Sequence, residues 1–326
     1  MNYELILNLF YFFISCSILI ISGAWCVRSL THIAETLRLS KFFTAFILMA
    51  FATSIPELFI GITSALKGKS SIALGTIIGS NILDLTLIAG ITIIIVKGIK
   101  VKDKGIHKNA WWMCGIALLP VILFIIGGEL SRIDGIILLI TFFSCIYFMY
   151  KQHKHVAKSM KQEKHVYHKI LSPFIFLFSL FILYVSADKT VFYASNIAVY
   201  FYLPEILIGL FIISLGTSLP ELVFETKAVL TGFQEMALGD LIGSVVTNST
   251  LVLGVTALIY PISANLIIFL TSSVFMLVVT FLFATFLETN NGFSWKEGVA
   301  LILMFLLFIL LELTVKGVIP AASVLV

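Results

Sequence analysis

Apolar residues run along the chain in long stretches broken by short polar turns. The stretches fall near 5–27, 43–66, 72–96, 110–128, 133–150, 170–190, 204–230, 235–260, 264–287 and 297–316. Each approaches or exceeds the length of about 20 residues that a helix needs to cross a bilayer. The pattern predicts an all-α polytopic membrane protein with ten transmembrane helices. Period-two alternation over ~10-residue segments, which an outer-membrane barrel requires, is absent. Composition agrees, with 60% hydrophobic and 12% charged residues against the roughly 45–50% apolar content of soluble domains. The first residues, Met1-Asn2-Tyr3-Glu4, carry no basic segment or small-residue cleavage site, so the first stretch reads as an uncleaved helix. Cys16, Cys26, Cys114 and Cys145 lie in or beside apolar stretches without metal-type spacing and read as packing residues.

Charge orients these helices. Assigning the loops alternately gives one side Arg28, Arg38, Lys41, Lys97, Lys100, Lys102, Lys104, Lys108, the lysines from Lys151 to Lys169, Lys227 and Lys296. The other side receives Lys67, Lys69, Arg132, Lys189 and Lys316, so the division is 16 against 5. The positive-inside rule makes the first side cytoplasmic and puts both termini outside. Residues 151–169 then form a basic cytoplasmic linker between halves 1–150 and 170–326. Its histidines, His153, His155, His165 and His168, leave metal sensing open, but a solvated basic linker explains them more simply. The net charge of +4 does not indicate nucleic acid, because the basic residues belong to short loops.

One polar motif interrupts the apolar pattern twice, as Thr53-Ser54-Ile55-Pro56-Glu57 and Thr217-Ser218-Leu219-Pro220-Glu221. A carboxylate at that depth costs several kcal/mol unless something neutralises it, which calls for a cation. Each proline withholds an N–H from the carbonyl four residues back, Ala52 or Gly216, leaving an acceptor free. Broken backbone at mid-membrane is tolerated where it lines a cavity. The motifs are 164 residues apart, and comparison of 53–90 with 217–254 finds 16 of 38 positions identical. Five stretches in each half is an odd number, so the second half is inserted upside down. The expected architecture is two inverted five-helix repeats with discontinuous helices at the ion site, as in many secondary transporters.

Helical spacing puts Ser54, Thr53 and Ala50 on the face of Glu57, and Ser218, Thr217 and Ser214 on that of Glu221. The next helix of each half pairs Ser80 with Asp84 and Ser244 with Asn248. Gly75 and Gly79, like Gly239 and Gly243, allow close approach of that helix to the broken one. Glu57, Asp84, Glu221 and Asn248 with their hydroxyls form an all-oxygen set suited to hard cations such as Ca²⁺. Without sulfur or imidazole, zinc and copper are poor candidates. Glu225 and Asp240 have no counterparts, since Gly61 and Thr76 occupy the matching places. Glu225 reads as a helix-end charge paired with solvent or Lys227, with a cytoplasmic gateway ligand as the alternative.

These residues resemble the sodium/calcium exchangers of the cation/Ca²⁺ antiporter superfamily, prokaryotic type. Their alpha-repeats read Gly-Thr-Ser-Leu-Pro-Glu followed by Gly-Asn-x-x-Gly-Ser-Asn, matched most specifically over 50–90 and 214–254. The resemblance implies that Glu57 and Glu221 are the main Ca²⁺ ligands. Thr53, Ser54, Ser80, Thr217, Ser218 and Ser244, with the carbonyls of Ala50 and Ser214, would complete the Na⁺ and Ca²⁺ positions, and Asp84 and Asn248 the remaining pair. Ala52, Thr76, Asp240 and Val245 depart from the family pattern, and aspartate and asparagine are exchanged between the halves. The implied activity is Na⁺/Ca²⁺ antiport by alternating access, electrogenic if more Na⁺ than Ca²⁺ charge moves. The resemblance further implies a monomer in a prokaryotic plasma membrane, whose partners are the transported ions and the lipid bilayer, with no cofactor. The residues themselves leave open a H⁺/Ca²⁺ or K⁺-dependent antiporter, a passive cation channel, and purely structural interhelical contacts. No Gly-x-Ser-x-Gly, His-Glu-x-x-His or nucleotide-loop motif suggests an enzyme.

Overall fold

The computed structural model describes residues 3–36, 49–101, 104–153, 168–202, 204–289 and 291–315. The polar turn at 38–41 and most of the basic linker, including His155 and His165, lie outside them. Helix follows the apolar stretches closely. In the first half α1 spans Tyr3–Thr36, α2 Met49–Thr53, α3 Ile55–Leu66, α4 Ser70–Leu83, α5 Ala89–Ile95, α6 Lys104–Gly127 and α7 Arg132–His153. In the second, α8 spans His168–Tyr200, α9 Glu205–Ile208, α10 Ser214–Thr217, α11 Leu219–Leu230, α12 Gln234–Thr247, α13 Leu253–Ile259, α14 Leu266–Thr289 and α15 Trp295–Val315. Among the described residues six helices are long and apolar enough to cross a membrane, and α9–α11, bent by 40°, makes a seventh if counted as one span. This is an integral membrane protein. Helices α1 and α8 outrun their predicted stretches because hydropathy marks the lipid-facing length of a helix, not its end.

The helix breaks lie where the prolines require them. Pro56 and Pro220 occupy the first turns of α3 and α11, the position where a missing N–H costs least. Three π-helical turns, Asp84–Ile88, Gly209–Ile213 and Asn248–Val252, join α4 to α5, α9 to α10 and α12 to α13. Such turns often accompany functional sites.

Two features differ from the sequence expectation. A two-stranded antiparallel sheet pairs β1, Gly98–Lys100, with β2, Gly292–Ser294, and a single bridge joins Leu130 to Ile262. Three-residue strands formed across such a sequence separation carry no local signature. Gly98 and Gly292 have φ of 122° and 145°, and a Cβ on Gly292 would lie 2.0 Å from the Ile99 carbonyl oxygen, so only glycine fits. The second difference concerns Gly75 and Gly79. They lie against the broken helix of the opposite half, where Cβ atoms would come within 2.1 Å of the Ile206 and Leu210 carbonyl oxygens.

Helices α4–α5 and α12–α13 form the centre, with 83% of their most apolar windows buried, against 28–39% for α1, α6, α8 and α14. A large apolar cluster joins the central helices to α6, α14 and α15. A second unites α1 and α8 with Ile55, Ile60, Ile72, Ile208 and Ile213 around the broken helices. Helix α1 spans both breaks: a Cβ on Gly23 would lie 3.1 Å from Pro56 Cγ and 3.6 Å from Pro220 Cγ. Outward faces carry exposed Ile126, Phe143, Phe181 and Ile267, an apolar surface suited to lipid.

Candidate ion-binding site

All twelve positions singled out in the sequence are buried. Ala50, Thr53, Ser54, Glu57, Ser80, Asp84, Ser214, Thr217, Ser218, Glu221, Ser244 and Asn248 are each at most 1% exposed. The breaks position the acids. Ser54 has φ −78° and ψ 3°, Ser218 φ −86° and ψ 4°, and each helix restarts one residue later. Glu57 and Glu221 thus enter the first turns of α3 and α11, where unpaired N–H groups and the helix dipole favour negative charge.

Hydroxyls join the two halves. Thr53 Oγ1 lies 3.3 Å from Ser244 Oγ, and Ser80 Oγ lies 3.4 Å from Thr217 Oγ1. Ser80 Oγ also donates to Glu57 Oε1 at 3.2 Å. The Ala50 carbonyl accepts the Ser54 N–H at 3.3 Å, and that of Ser214 accepts the Ser218 N–H at 3.0 Å. Both therefore keep their helical partners, and each also accepts a hydroxyl, Thr53 Oγ1 at 3.4 Å on Ala50 and Thr217 Oγ1 at 3.3 Å on Ser214. Glu57, Asp84 and Glu221 lie close enough for their negative charges to act on one another, so the acids of both halves repel across one centre.

The centre is short of partners. Glu57 Oε2, Glu221 Oε2, both Asp84 carboxylate oxygens, Asn248 Oδ1 and the Ser54 and Ser218 hydroxyls are buried without a hydrogen bond. Among the described residues no ion pair reaches these acids, whereas Lys67–Asp188, Lys69–Glu205, Lys189–Asp188 and His107–Glu288 pair elsewhere. Unpaired buried carboxylates are costly, and together these oxygens make a site electrically incomplete without cations. Also among the described residues, no three acidic, histidine or cysteine side chains form a group able to hold a metal ion by themselves. Hydroxyl and carbonyl oxygens are therefore needed to reach the six to eight ligands of Ca²⁺.

Four residues outside the predicted set enter the network or its surroundings. Asn248 Nδ2 donates to Asn81 Oδ1 at 3.1 Å, and Asn81 Nδ2 donates to Ser249 Oγ at 3.1 Å. Asn81 was hard to single out because Val245 stands at its repeated place, yet it follows the Gly79-Ser80 pair directly. Asp240 is fully buried and interacts electrostatically with Glu221 and Asp84. Its spacing of four from Ser244 was the available signal. Glu225 requires a correction: it is fully buried, not paired with solvent or Lys227 at a helix end. One helical turn separates it from Glu221, and helix packing keeps that turn inside.

Known proteins resemble this chain in sequence and in fold. The family profile described as sodium/calcium exchanger protein matches residues 7–151 and again 171–314, one match in each half. CaxA of Alkalimonas amylolytica, named as an antiporter, is 31% identical over 251 residues, covering 75% of this chain and 78% of its own. The sodium/calcium exchanger MaX1 of Methanosarcina acetivorans is 25% identical, covering 87% of this chain and 92% of its own. A structure of the sodium-calcium exchanger NCX_Mj, soaked with Na⁺ and Sr²⁺, superposes with a TM-score of 0.67 at 25% identity over 94% of this chain and 98% of that one. Profile matches spanning most of both halves, around partner-less oxygens suited to cations, make this chain a member of the sodium/calcium exchanger family.

Proposed function

We propose that the chain moves Na⁺ and Ca²⁺ alternately through one oxygen-lined centre shared by two inverted halves. It is a Na⁺/Ca²⁺ antiporter, not an enzyme. The observation that carries the reading is the placement of Glu57 and Glu221, one from each half, each with a buried oxygen lacking any partner. In the proposed site these two carboxylates are the main Ca²⁺ ligands. Thr53, Ser54, Ser80, Thr217, Ser218 and Ser244, the carbonyls of Ala50 and Ser214, and the Asp84–Asn248 pair complete the Na⁺ and Ca²⁺ positions. Because both ions need the same carboxylates, exchange is obligatory, and each net charge moved contributes about 2.3 kcal/mol per 100 mV.

Paired contacts support inverted repeats within a ten-helix layout. The offset of 164 converts the Thr53–Ser244 contact into the Thr217–Ser80 contact, and the Gly98–Ser294 pair into the Ile262–Leu130 pair. Gly90 meets Gly298 as Gly254 meets Gly135, with a one-residue shift in α7 against α15. A two-fold relation of this kind exchanges contacts between halves. The basic residues also sort by end. Lys67 pairs with Asp188 beside Lys189, and Lys69 pairs with Glu205. Ser70 donates to the Pro261 carbonyl next to the Leu130–Ile262 bridge, and Arg132 follows that bridge. Lys97, Lys100 and Lys296 flank the β1–β2 sheet. By the positive-inside rule the sheet end is cytoplasmic, and the reading extends to outside termini, a cytoplasmic 151–169 linker and a prokaryotic plasma membrane.

The pseudo-symmetry gives a direct test of the Asp84–Asn248 pair. Asp84→Asn alone is expected to cut Ca²⁺ uptake into proteoliposomes by about tenfold or more, the scale of a lost charged ligand interaction of 1.5–3 kcal/mol. Adding Asn248→Asp should recover much of it, because Asn81 can turn its amide to donate to the new carboxylate while Ser249 donates to its carbonyl. No recovery would mean the two positions are not equivalent. Measuring uptake against an imposed Na⁺ gradient, with pH clamped by ionophores, tests the coupling ion. Exchange that persists without Na⁺ would favour protons, and exchange that requires K⁺ would reveal co-transport.

A further inference from the structure

The α11–α12 hairpin carries two acids outside the twelve positions proposed as ligands. Glu225 lies one turn beyond Glu221 on α11, and Asp240 lies one turn before Ser244 on α12. The two helices pack together and are joined by a turn through Phe233. Counted from Phe233, Glu225 is eight residues before and Asp240 seven after, so antiparallel packing puts them at one level. That level is about 6 Å along the helix from Glu221, four residues at 1.5 Å each. Both residues are fully buried, and all four carboxylate oxygens lack a hydrogen-bond partner. Asp240 is the strongest charge acting on Glu225, followed by Asp84. None of the ion pairs among the described residues involves either acid.

The first half handles the same level differently. Gly61 stands in place of Glu225, and a Cβ there would meet Thr256 Oγ1 at 2.5 Å and Val252 Cγ1 at 3.3 Å. Thr76 stands in place of Asp240 and donates its hydroxyl to the Ile72 carbonyl at 2.9 Å. That half is closed and satisfied. The second is left with two dehydrated carboxylates, an arrangement that a single divalent ion would neutralise. Four carboxylate oxygens are also a good start toward the ligand count of a hard cation.

We propose that Glu225 and Asp240 hold a second, hard divalent cation one helical turn from the Glu57–Glu221 centre, on the side of the α11–α12 turn. That the ion is Ca²⁺ on its way to the centre rests on the antiport reading. Because only one half carries this pair, the site serves one face of the membrane, the cytoplasmic one by the distribution of basic residues. Two acids at an entrance concentrate Ca²⁺ before it reaches the centre.

Equilibrium dialysis of ⁴⁵Ca²⁺ against the purified full chain tests the site. Glu57→Gln/Glu221→Gln should retain a bound Ca²⁺, and adding Glu225→Gln and Asp240→Asn should remove it. In proteoliposomes of defined orientation, Glu225→Gln/Asp240→Asn should raise the KM for Ca²⁺ at the α11–α12 face relative to the other face by about tenfold. The proposal is overturned if Glu57→Gln/Glu221→Gln binds no Ca²⁺, or if the two faces keep their relative KM in the second double variant. Should that variant not fold, the wild-type chain loaded with Mn²⁺ decides. Electron paramagnetic resonance would show dipolar broadening from two neighbouring ions, and a single isolated Mn²⁺ spectrum would overturn the site. Normal transport by Glu57→Gln/Glu221→Gln would defeat the antiport centre without bearing on the second ion.

Discussion

Glu57→Gln and Glu221→Gln will each abolish Na⁺-driven Ca²⁺ uptake in proteoliposomes, with a fall of about a hundredfold or more. The size follows from charge. A carboxylate about 2.4 Å from Ca²⁺ contributes on the order of 10 kcal/mol of attraction at an effective dielectric constant near 20. Desolvation takes back the larger part. Even about 3 kcal/mol of net loss is a factor of about a hundred. Glutamine keeps the shape and one acceptor, so the Ser80 hydroxyl that now donates to Glu57 Oε1 at 3.2 Å retains a partner and the fold should survive. Purified variants should therefore elute as wild type on size exclusion while losing ⁴⁵Ca²⁺ flux. Near-normal flux in either variant would remove that glutamate from the transport site.

The two glutamates were legible in the sequence for a reason specific to membranes. Lipid gives no water to a broken helix or an acid, so Pro56-Glu57 and Pro220-Glu221 stand out against apolar surroundings and imply an internal partner. The 164-residue repeat then pointed to both halves of the site, and helical spacing brought in Thr53, Ser80, Thr217 and Ser244. Periodicity within one helix does not report which distant helix lies opposite. It could not assign Gly75 and Gly79 to Ile206 and Leu210, nor pair Gly98 with Ser294. The burial of Glu225 is hidden from the sequence for a related cause. Its place near Leu230 at the end of α11 suggests an interface, but α11 packs against α5 and α12 and Glu225 is buried. Asn81 escaped because a repeat argument is blind to a residue present in only one half.

Gly75→Ala and Gly79→Ala should each destabilise the protein by about 3 kcal/mol, toward the upper end of the overpacking range. The obstacle in each case is backbone: a Cβ would stand 2.1 Å from the carbonyl oxygen of Ile206 or Leu210, and backbone cannot rotate away as a side chain can. Helix α4 would have to separate from α9 and the π-helical turn that follows it. Elsewhere glycine-to-alanine change in a helix is mildly stabilising, by about 1 kcal/mol, and Gly115 on α6, with nothing within 4 Å of its Cβ position, supplies that control. Thermal unfolding monitored by loss of the monodisperse peak should rank Gly115→Ala at or above wild type and both other variants well below it. The two sites differ in their effect on transport. A methyl on Gly79 also meets Ser214 Oγ at 2.8 Å, and Ser214 accepts the Ser218 N–H across the break that aims Glu221. At temperatures where both variants remain folded, Gly79→Ala should therefore lose Ca²⁺ flux more severely than Gly75→Ala. Equal loss would mean that helix separation alone governs transport and that the Ser214 contact does not reach the ion site.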